Sequence, residues 1–491
     1  MRIKNAKLWR ENGWIRLSVR GKPYEIGYAN GYLLRKELEN VFKMLEFSIL
    51  NEYGISREII TDIVYVLYKD QIHDSYKEYW LEMEGITAGA KAGGLKITMK
   101  DIILWNCFYS FSYLFGNLTE LVKNNHYLNS KYGYIFNDVN AHFGSREGGS
   151  TDRCTGFIAI GDYTKDGKIV CGHNTFDGFM ESQFCNVMLD ITPTNGSSFI
   201  MQTAPGQISS GTDFFVSKSG FILTETTFGG FNKFKLLDPI CCRSRKAIQY
   251  SNSLDDFVTI LNDKNGGDYA NAWLIGDTNS NTIMRIELGV EYVNVETKTN
   301  GYFIGFNAPY DTRIRNLECT NTGFYDVRRH QGARKVRLEQ LIKQHKGKMD
   351  NKIAQSMLGD HYDVYLEKEN PCSRTCCSHY NLDPREFMSQ ADRPLPFAPR
   401  GCVDGIVTDS TLAKNIGLIG KWGSSCDIAF DSEKFIEQHT QWADYGPYLP
   451  DRPNVPWTEF RLENSQMFKK HKDGSRKKYK QSKKNTRKIN T

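Results

Sequence analysis

The sequence predicts a layered α+β fold, and three observations carry that prediction. Most of the first 115 residues place apolar side chains at helical spacing. At Cys154 the period changes to two, and short strand-like runs follow one another from there. Helical stretches interleave with those runs further on, and sheet-rich sequence with interleaved helices packs in layers.

Taken in order, residues 14–19 alternate as a short strand. From Tyr28 onward Leu34, Leu38, Val41, Leu45 and Ile49 recur at spacings of 4, 3, 4 and 4, one face of a helix. Residues 75–91 and 100–115 read as further helices, separated by the Gly93-Gly94 break. Residues 116–153 are rich in Asn, Tyr, Gly and Ser and have little periodicity, which predicts a functional loop or a linker. From Cys154, residues 155–160 and 168–172 read as two strands joined by a turn at 162–167, a hairpin. Strands are predicted at 186–190, 198–202, 214–216, 220–225, 272–276, 283–288 and 302–306, with helices at 243–251, 254–262 and 332–344. No fixed-period repeat is visible.

Charge divides the chain unevenly. The 491 residues hold 63 Lys+Arg and 57 Asp+Glu, a net +6. From Lys469 onward there are eleven bases and one acid, so the remainder, with 52 bases and 56 acids, is mildly acidic. The whole chain is therefore not patterned as a nucleic-acid binder. The tail from Lys469 to Lys488 lacks apolar periodicity and reads as a disordered solubilising segment or as an attachment to an anionic surface. With 13% aromatic residues the body has ample core material, and no apolar run approaches a membrane span, so no transmembrane segment is expected. Residues 1–17 carry no signal-type apolar stretch, which makes a cytoplasmic start the default.

The sharpest chemical feature is the position of Cys154. It follows a polar, glycine-rich run ending in Arg153 and opens an apolar strand, poorly placed for core packing and well placed for a cut. Cleavage of the Arg153–Cys154 bond would leave a chain whose first residue carries a thiol and an α-amine. That amine, with a pKa near 8, can take the thiol proton, so nucleophile and base occupy one residue. The same thiol can make the cut by attacking the Arg153 carbonyl.

The run Cys154-Thr-Gly-Phe, the turn at Asp166-Gly167-Lys168 and Gly172-His173-Asn174-Thr175 resemble the start of the mature chain in N-terminal nucleophile (Ntn) hydrolases. Penicillin-acyltransferase-like and bile-salt-hydrolase-like members share such a step. A closer resemblance is to the phospholipase B-like family. His173-Asn174-Thr175-Phe176 is similar to its His-Asn-Thr-Trp, and Ser210-Gly-Thr-Asp213-Phe-Phe215 to its Ser-Gly-Asp-Asp-Phe-Tyr. Leu223-Thr-Glu-Thr-Thr227, Tyr269-Ala-Asn271-Ala-Trp273, Phe306-Asn307-Ala-Pro-Tyr310 and Gly401-Cys-Val-Asp404-Gly-Ile-Val-Thr408 follow in the family's order. Gly27-Tyr-Ala-Asn-Gly31 and Glu84-Gly85-Ile86 look more like the penicillin acyltransferase (peptidase C45-like) group. Departures are Phe176 for Trp, Ala270 for one Asn, and the missing secretory leader, which puts the family's lysosomal or secreted location in doubt here.

The resemblance implies a four-layer αββα Ntn-hydrolase sandwich made as a zymogen. Residues 1–115 would be a helical pro-region kept as a light chain, 116–153 a linker cut or excised on maturation, 154–465 the catalytic chain and 466–491 the basic tail. It further implies hydrolysis of acyl lipid esters through an acyl-enzyme on Cys154. Amide hydrolysis or acyl transfer is the rival among enzymes, and a processed, non-catalytic binding or structural protein the rival of another class.

Acyl transfer needs donors for an oxyanion, and the side-chain amides of Asn271 and Asn307 are candidates; either can equally stabilise a turn. His173 follows the second strand by one residue and can orient the amine or hold substrate, or be structural. Asp177 lies near where related hydrolases place an acid on the nucleophile's α-amine, and Thr226 can hydrogen-bond the nucleophile region or be an ordinary strand threonine. Of the twelve cysteines eleven lie from residue 154 on. Cys372, Cys376, Cys377 and His379 superficially suggest zinc, but no second Cys/His pair follows at fixed spacing; the resemblance implies a local disulfide, and free thiols are the third possibility. No metal is assigned, and no nucleotide, zinc-protease or serine-hydrolase motif indicates a cofactor or another mechanism.

Overall fold

The computed structural model describes residues 3–136, 154–320, 323–384 and 395–463. Arg153, the rest of 137–153 and the basic tail lie outside them. The N-terminal part runs β1 (Ala6–Glu11), β2 (Trp14–Gly21), α1 (Pro23–Leu33), α2 (Arg35–Tyr53), α3 (Arg57–Ser75), α4 (Lys77–Ala92), α5 (Met99–Asn106), α6 (Phe111–Gly116), α7 (Leu118–Asn124) and α8 (His126–Phe136). After Cys154 come β3 (Cys154–Gly161), β4 (Gly167–Gly178), the one-turn α9 (Phe179–Ser182), β5 (Val187–Pro193), β6 (Phe199–Thr203), β7 (Phe215–Ser217) and β8 (Phe221–Thr227). Helices α10 (Ile240–Tyr250) and α11 (Leu254–Asn262) precede β9 (Asn271–Asp277), β10 (Thr282–Leu288), β11 (Val293–Lys298) and β12 (Gly301–Gly305). Then follow α12 (His330–Gln344), α13 (Asn351–Leu358), the small hairpin β13 (Tyr362–Asp363) and β14 (Lys368–Glu369), β15 (Arg400–Cys402), β16 (Asp404–Asp409), β17 (Gly417–Trp422) and β18 (Thr458–Arg461).

Nine strands in the order β1-β2-β5-β6-β7-β8-β9-β10-β11 form one sheet, antiparallel except where β2 runs parallel to β5. Seven strands form the other, ordered β12-β3-β4-β16-β17-β18, with β15 continuing the edge of β4. Because side chains alternate along a strand, each sheet presents two apolar faces. Leu17, Leu189, Met201, Leu223, Trp273 and Ile286 of the larger sheet pack with Ile26 and Ala29 of α1, Ala247 of α10 and Phe257 of α11. Phe157, Val170, Ile304 and Val407 of the smaller sheet pack with Leu338 and Ile342 of α12 and Met357 of α13. Ile158, Ile160, Ile169 and Cys171 share a core with Ile200, Ile222 and Leu274, so the remaining faces meet each other. The fold is α+β, as the period change predicts.

Several expectations change in detail. The helix running on from Tyr28 breaks at Leu34 into α1 and α2. The helix expected over 100–115 ends at Asn106, whose side chain is engaged by Ile102, Gly206 and Ile208. The stretch after residue 115 is not irregular throughout: α7 and α8 bury Leu118, Val122, Leu128 and Phe136. The first 115 residues are not only helical, since β1 and β2 complete the larger sheet. No helix among the described residues is long and apolar enough to cross a membrane.

Where α1 crosses α4 the two backbones nearly touch. A Cβ on Gly27 or Gly31 would lie 1.9 or 2.0 Å from the carbonyl oxygen of Glu82 or Ile86, and one on Gly85 or Gly89 would lie 2.2 or 2.1 Å from that of Tyr24 or Tyr28. The glycines quoted from this region in the sequence are therefore contact points between helices. Asn30 of α1 accepts the Gly206 N–H at 3.1 Å, which fastens these helices to the 204–214 loop.

Candidate active site

Cys154 opens β3, the strand between β12 and β4, and is fully buried. Its register partner on β4 is Thr175, and Gly156 pairs with His173 on one side and Gly305 on the other. Alternation puts the Cys154 side chain on the same face as Gly156 and Ile158, toward the larger sheet. The Cys154 N–H donates to Asn307 Oδ1 at 3.2 Å, and the carbonyl accepts from Arg334 Nη1.

Asn307 follows β12 in the left-handed region, at φ 67°, a conformation Asn adopts more readily than most residues. That turn swings its amide back onto the start of β3. Oδ1 also accepts from Arg334 Nη2 at 2.8 Å, while Nδ2 donates to the Thr227 carbonyl at 2.7 Å. With donors at one end and a carbonyl at the other, the amide has one orientation. The sequence offers Asn307 as an oxyanion donor, but here its carbonyl faces Cys154 and its NH2 group is engaged at the end of β8.

Arg334 is the site residue that the sequence reading missed. It is buried, donates to Thr155 Oγ1 at 3.0 Å as well, and lies over the Phe176 ring at 5.1 Å. A signal was present, because Arg334 precedes Leu338, Leu341 and Ile342 by four, seven and eight residues, on the buried stripe of its helix.

His173 is fully buried, and its Nε2–H donates to the Glu225 carbonyl at 2.9 Å. A carbonyl can only accept, which fixes the tautomer and leaves Nδ1 as an acceptor with no hydrogen-bond partner among the described residues. Burial pushes this imidazole down to about 3, against the opposing effect of the Glu225 carbonyl, so it is neutral at physiological pH. Asn271 begins β9 opposite Thr227 and is completely buried. Its amide lies beside the Glu225 carboxyl, yet neither amide atom completes a hydrogen bond of good geometry among the described residues.

Thr226 packs over the glycine pair: a Cβ at Gly305 would meet its Cγ2 at 2.4 Å, and one at Gly156 would meet it at 3.5 Å. Asp177 lies two residues beyond Thr175 on β4, where its carboxylate accepts the Gly178 N–H at 2.9 Å and lies 4.0 Å from Arg400. The structure thus gathers Cys154, His173, Thr226, Asn271 and Asn307 around the facing ends of β3, β4, β8, β9 and β12, and sets Asp177 further along β4.

Buried acids surround this group. Asp404 accepts the Thr175 N–H at 3.0 Å and the Gln202 amide at 2.8 Å, and burial pushes it up to about 7. The Tyr269 hydroxyl lies 2.8 Å from Asp213 and 3.1 Å from Glu225. Burial first, and the adjacent Asp213 second, hold the Glu225 carboxyl well above the carboxylate range. Asp213 and Tyr269 also line a cavity of about 20 Å³ with Asn106, Gln207, Ser209 and Ser244. That is room for about one water.

Comparison with known proteins agrees with the motifs. Residues 18–471 match the Phospholipase B family, and the chain belongs to that family. A phospholipase B of Crotalus adamanteus is 27% identical over 248 residues, 45% of this chain and 42% of that one. Phospholipase B-like 1 of Homo sapiens is 25% identical over 251 residues, again 45% and 42%. An uncharacterized protein of Archaeoglobus fulgidus is 25% identical over 260 residues, 51% of this chain and 39% of its own. The chain spans about two fifths of the length of these curated relatives.

Proposed function

We propose that this protein is an N-terminal cysteine hydrolase of αββα architecture that frees Cys154 by cutting its own chain and then deacylates lipid esters. The observation that carries the reading is the environment of Cys154, a cysteine at the first residue of a central strand with its N–H and its C=O each held by a buried side chain. Strand residues ordinarily satisfy these groups with neighbouring backbone, whereas here the partners are two buried polar side chains, Asn307 and Arg334. Sheet packing against sheet, with helices on both outer faces, supports the four-layer arrangement.

In the first stage the Cys154 thiol attacks the Arg153 carbonyl and its proton passes to the departing nitrogen, so the C–N bond breaks to leave a free Cys154 α-amine and a thioester, and water hydrolyses the thioester to free the thiol and the Arg153 carboxylate. In the second stage that amine takes the thiol proton and the thiolate attacks the ester carbonyl. The alcohol leaves with the proton, and water hydrolyses the acyl-cysteine. Asn307 Oδ1 holds the amine, and the Arg334 cation favours both the thiolate and the neutral amine. Asn271, whose side-chain N–H groups complete no hydrogen bond of good geometry among the described residues, supplies the oxyanion donor. His173 Nδ1 accepts from substrate or water. Thr226 shapes the floor through its contact with Gly156 and Gly305, and Asp177 positions the far end of β4. The embedded N-terminal segment would remain as a light chain.

The substrate class follows the family name. Amide hydrolysis is a second reading, because the same thiol, amine and oxyanion donor act on an amide carbonyl as on an ester. Purified protein is incubated with phosphatidylcholine and, separately, with an N-acyl amide, and the Cys154 peptide is analysed by mass spectrometry. Fatty-acid release with transient acylation of Cys154 by the lipid alone supports the proposal. Acylation by the amide alone supports the second reading, and acylation by neither supports the non-catalytic one.

A further inference from the structure

We infer that His361, Cys377, His379 and Cys426 form a structural zinc site. Their four ligand atoms lie within 4.8 Å of one another. His361 Nε2 is 3.2 Å from His379 Nε2, and His379 Nε2 is 3.5 Å from both Cys377 Sγ and Cys426 Sγ. A tetrahedral zinc with Zn–N of about 2.0–2.1 Å and Zn–S of about 2.3 Å has edges of about 3.3 Å between nitrogens and about 3.5–3.6 Å between nitrogen and sulfur. Three of the six edges are therefore at zinc spacing. Two imidazoles and two thiols converging on one point have a donor set suited to zinc, whereas carboxylates, which suit magnesium or calcium, are absent from the cluster.

The surroundings meet the other requirements of such a site. The Ile428 N–H donates to Cys426 Sγ at 3.4 Å, the kind of second hydrogen bond that steadies a thiolate ligand. Cys377 and His379 are buried while His361 and Cys426 are half-buried, which gives an entry path. Four protein ligands close the tetrahedron, so the role is structural rather than catalytic. Binding would release the two thiol protons to solvent.

The ligands come from three separate stretches of chain, and the metal would tie them to the back of the nucleophile's hairpin. Asn174 of β4 donates to the carbonyls of Leu358 at 2.8 Å and Cys376 at 2.9 Å, and Ser425 Oγ donates to Leu358 as well. Asn174 is one residue from Thr175, the cross-strand partner of Cys154. The sequence points to Cys372 and Cys376 beside Cys377 and His379. The structure leaves those two out and brings in His361 and Cys426, distant in sequence. None of the twelve cysteines is in a disulfide, so the locally expected bridge is not formed.

The test is metal analysis of the full chain purified under reducing conditions without chelator. Wild type should carry about one zinc per chain, and Co2+ exchanged into it should show the charge-transfer and ligand-field bands of tetrahedral thiolate ligation. Cys426→Ser and the milder His361→Gln should each weaken zinc binding more than the 10–100-fold typical of losing a hydrogen-bond partner of a ligand. Chelation of the wild type should lower its melting temperature and release two reactive thiols, a readout that needs no variant. Failure to take up zinc on reconstitution, full retention in both variants, or a Cys377–Cys426 disulfide in the purified chain would each overturn the inference.

Discussion

At the scale of the residue, what distinguishes the site is which protons its buried groups keep. His173 is neutral because burial outweighs the one hydrogen bond it makes, so activity should show no inflection near pH 6.5. Activity should instead rise with pH through the Cys154 α-amine, at or somewhat below about 8, because the amine acts as base only when deprotonated. An inflection near 6.5 that disappears in His173→Gln would contradict this assignment. Asn271→Ala should lower kcat by about 100–1,000-fold with little change in KM, the cost of losing one oxyanion donor. A variant whose loss lies mainly in KM would place Asn271 in substrate binding instead. Away from the site, burial pushes Asp190 up to about 7 even though Ser18 donates to it at 2.6 Å. A carboxyl raised in the folded state binds its proton more tightly there than in the unfolded chain. Its stabilising effect is complete below about pH 4 and is lost as pH rises toward 7. Asp190→Asn should therefore gain stability relative to wild type across that interval, by up to about 2–4 kcal/mol, in melts at pH 4, 6 and 8. Cys154 and the two asparagines were legible in the sequence because a period change and ordered motifs mark them. Arg334 was not, because a buried arginine on a helix stripe looks like a solvated one until its partners are known.

At the scale of the element, the α1–α4 crossing brings two helix backbones into direct contact. Gly27→Ala or Gly89→Ala puts a methyl group against a carbonyl oxygen of the facing helix, where neither backbone can yield without moving the whole helix. Each should cost about 3 kcal/mol, the upper end of overpacking penalties. Gly116→Ala, with nothing within 4 Å of its Cβ position, serves as the control and should be neutral or slightly stabilising. Equal melting temperatures for all three would refute the close crossing. Strands and helices between residues 154 and 344 were largely readable because their alternation and helical stripes are uninterrupted. Helix α3 shows the same stripe in Ile60, Ile63, Val64, Leu67 and Ile72, and it was overlooked rather than hidden. Helix α7 is short with two buried residues, and the Leu128, Tyr132 and Phe136 stripe of α8 is interleaved with Asn129, Ser130, Lys131 and Gly133, residue types that read as loop. Strands β15 to β18 were missed for a different reason. They are short, separated by irregular chain, and take their place only by pairing with β4 and with one another.

At the scale of the molecule, the segment before the expected cut is woven into the rest. β2 lies along β5 through seven register pairs, and Glu82 of α4 forms a buried ion pair with Arg245 of α10 at 3.0 Å. Ser110 donates to Asp268 at 2.9 Å, and Asp268 also pairs with Arg243 at 2.7 Å. A chain severed ahead of Cys154 should therefore elute as one particle under native conditions and separate into two only in denaturant. The assembled fold was only partly legible, because the sequence reveals where strands begin but not that β2, carrying β1 with it, pairs with β5, Ile15 against Val187. The central claim concerns one bond, and intact-mass spectrometry with N-terminal sequencing of the purified protein tests it most directly. The wild type should yield a fragment whose first residue is Cys154, and Cys154→Ala should yield none. A wild-type protein that hydrolyses acyl esters with the bond between Arg153 and Cys154 unbroken would contradict it.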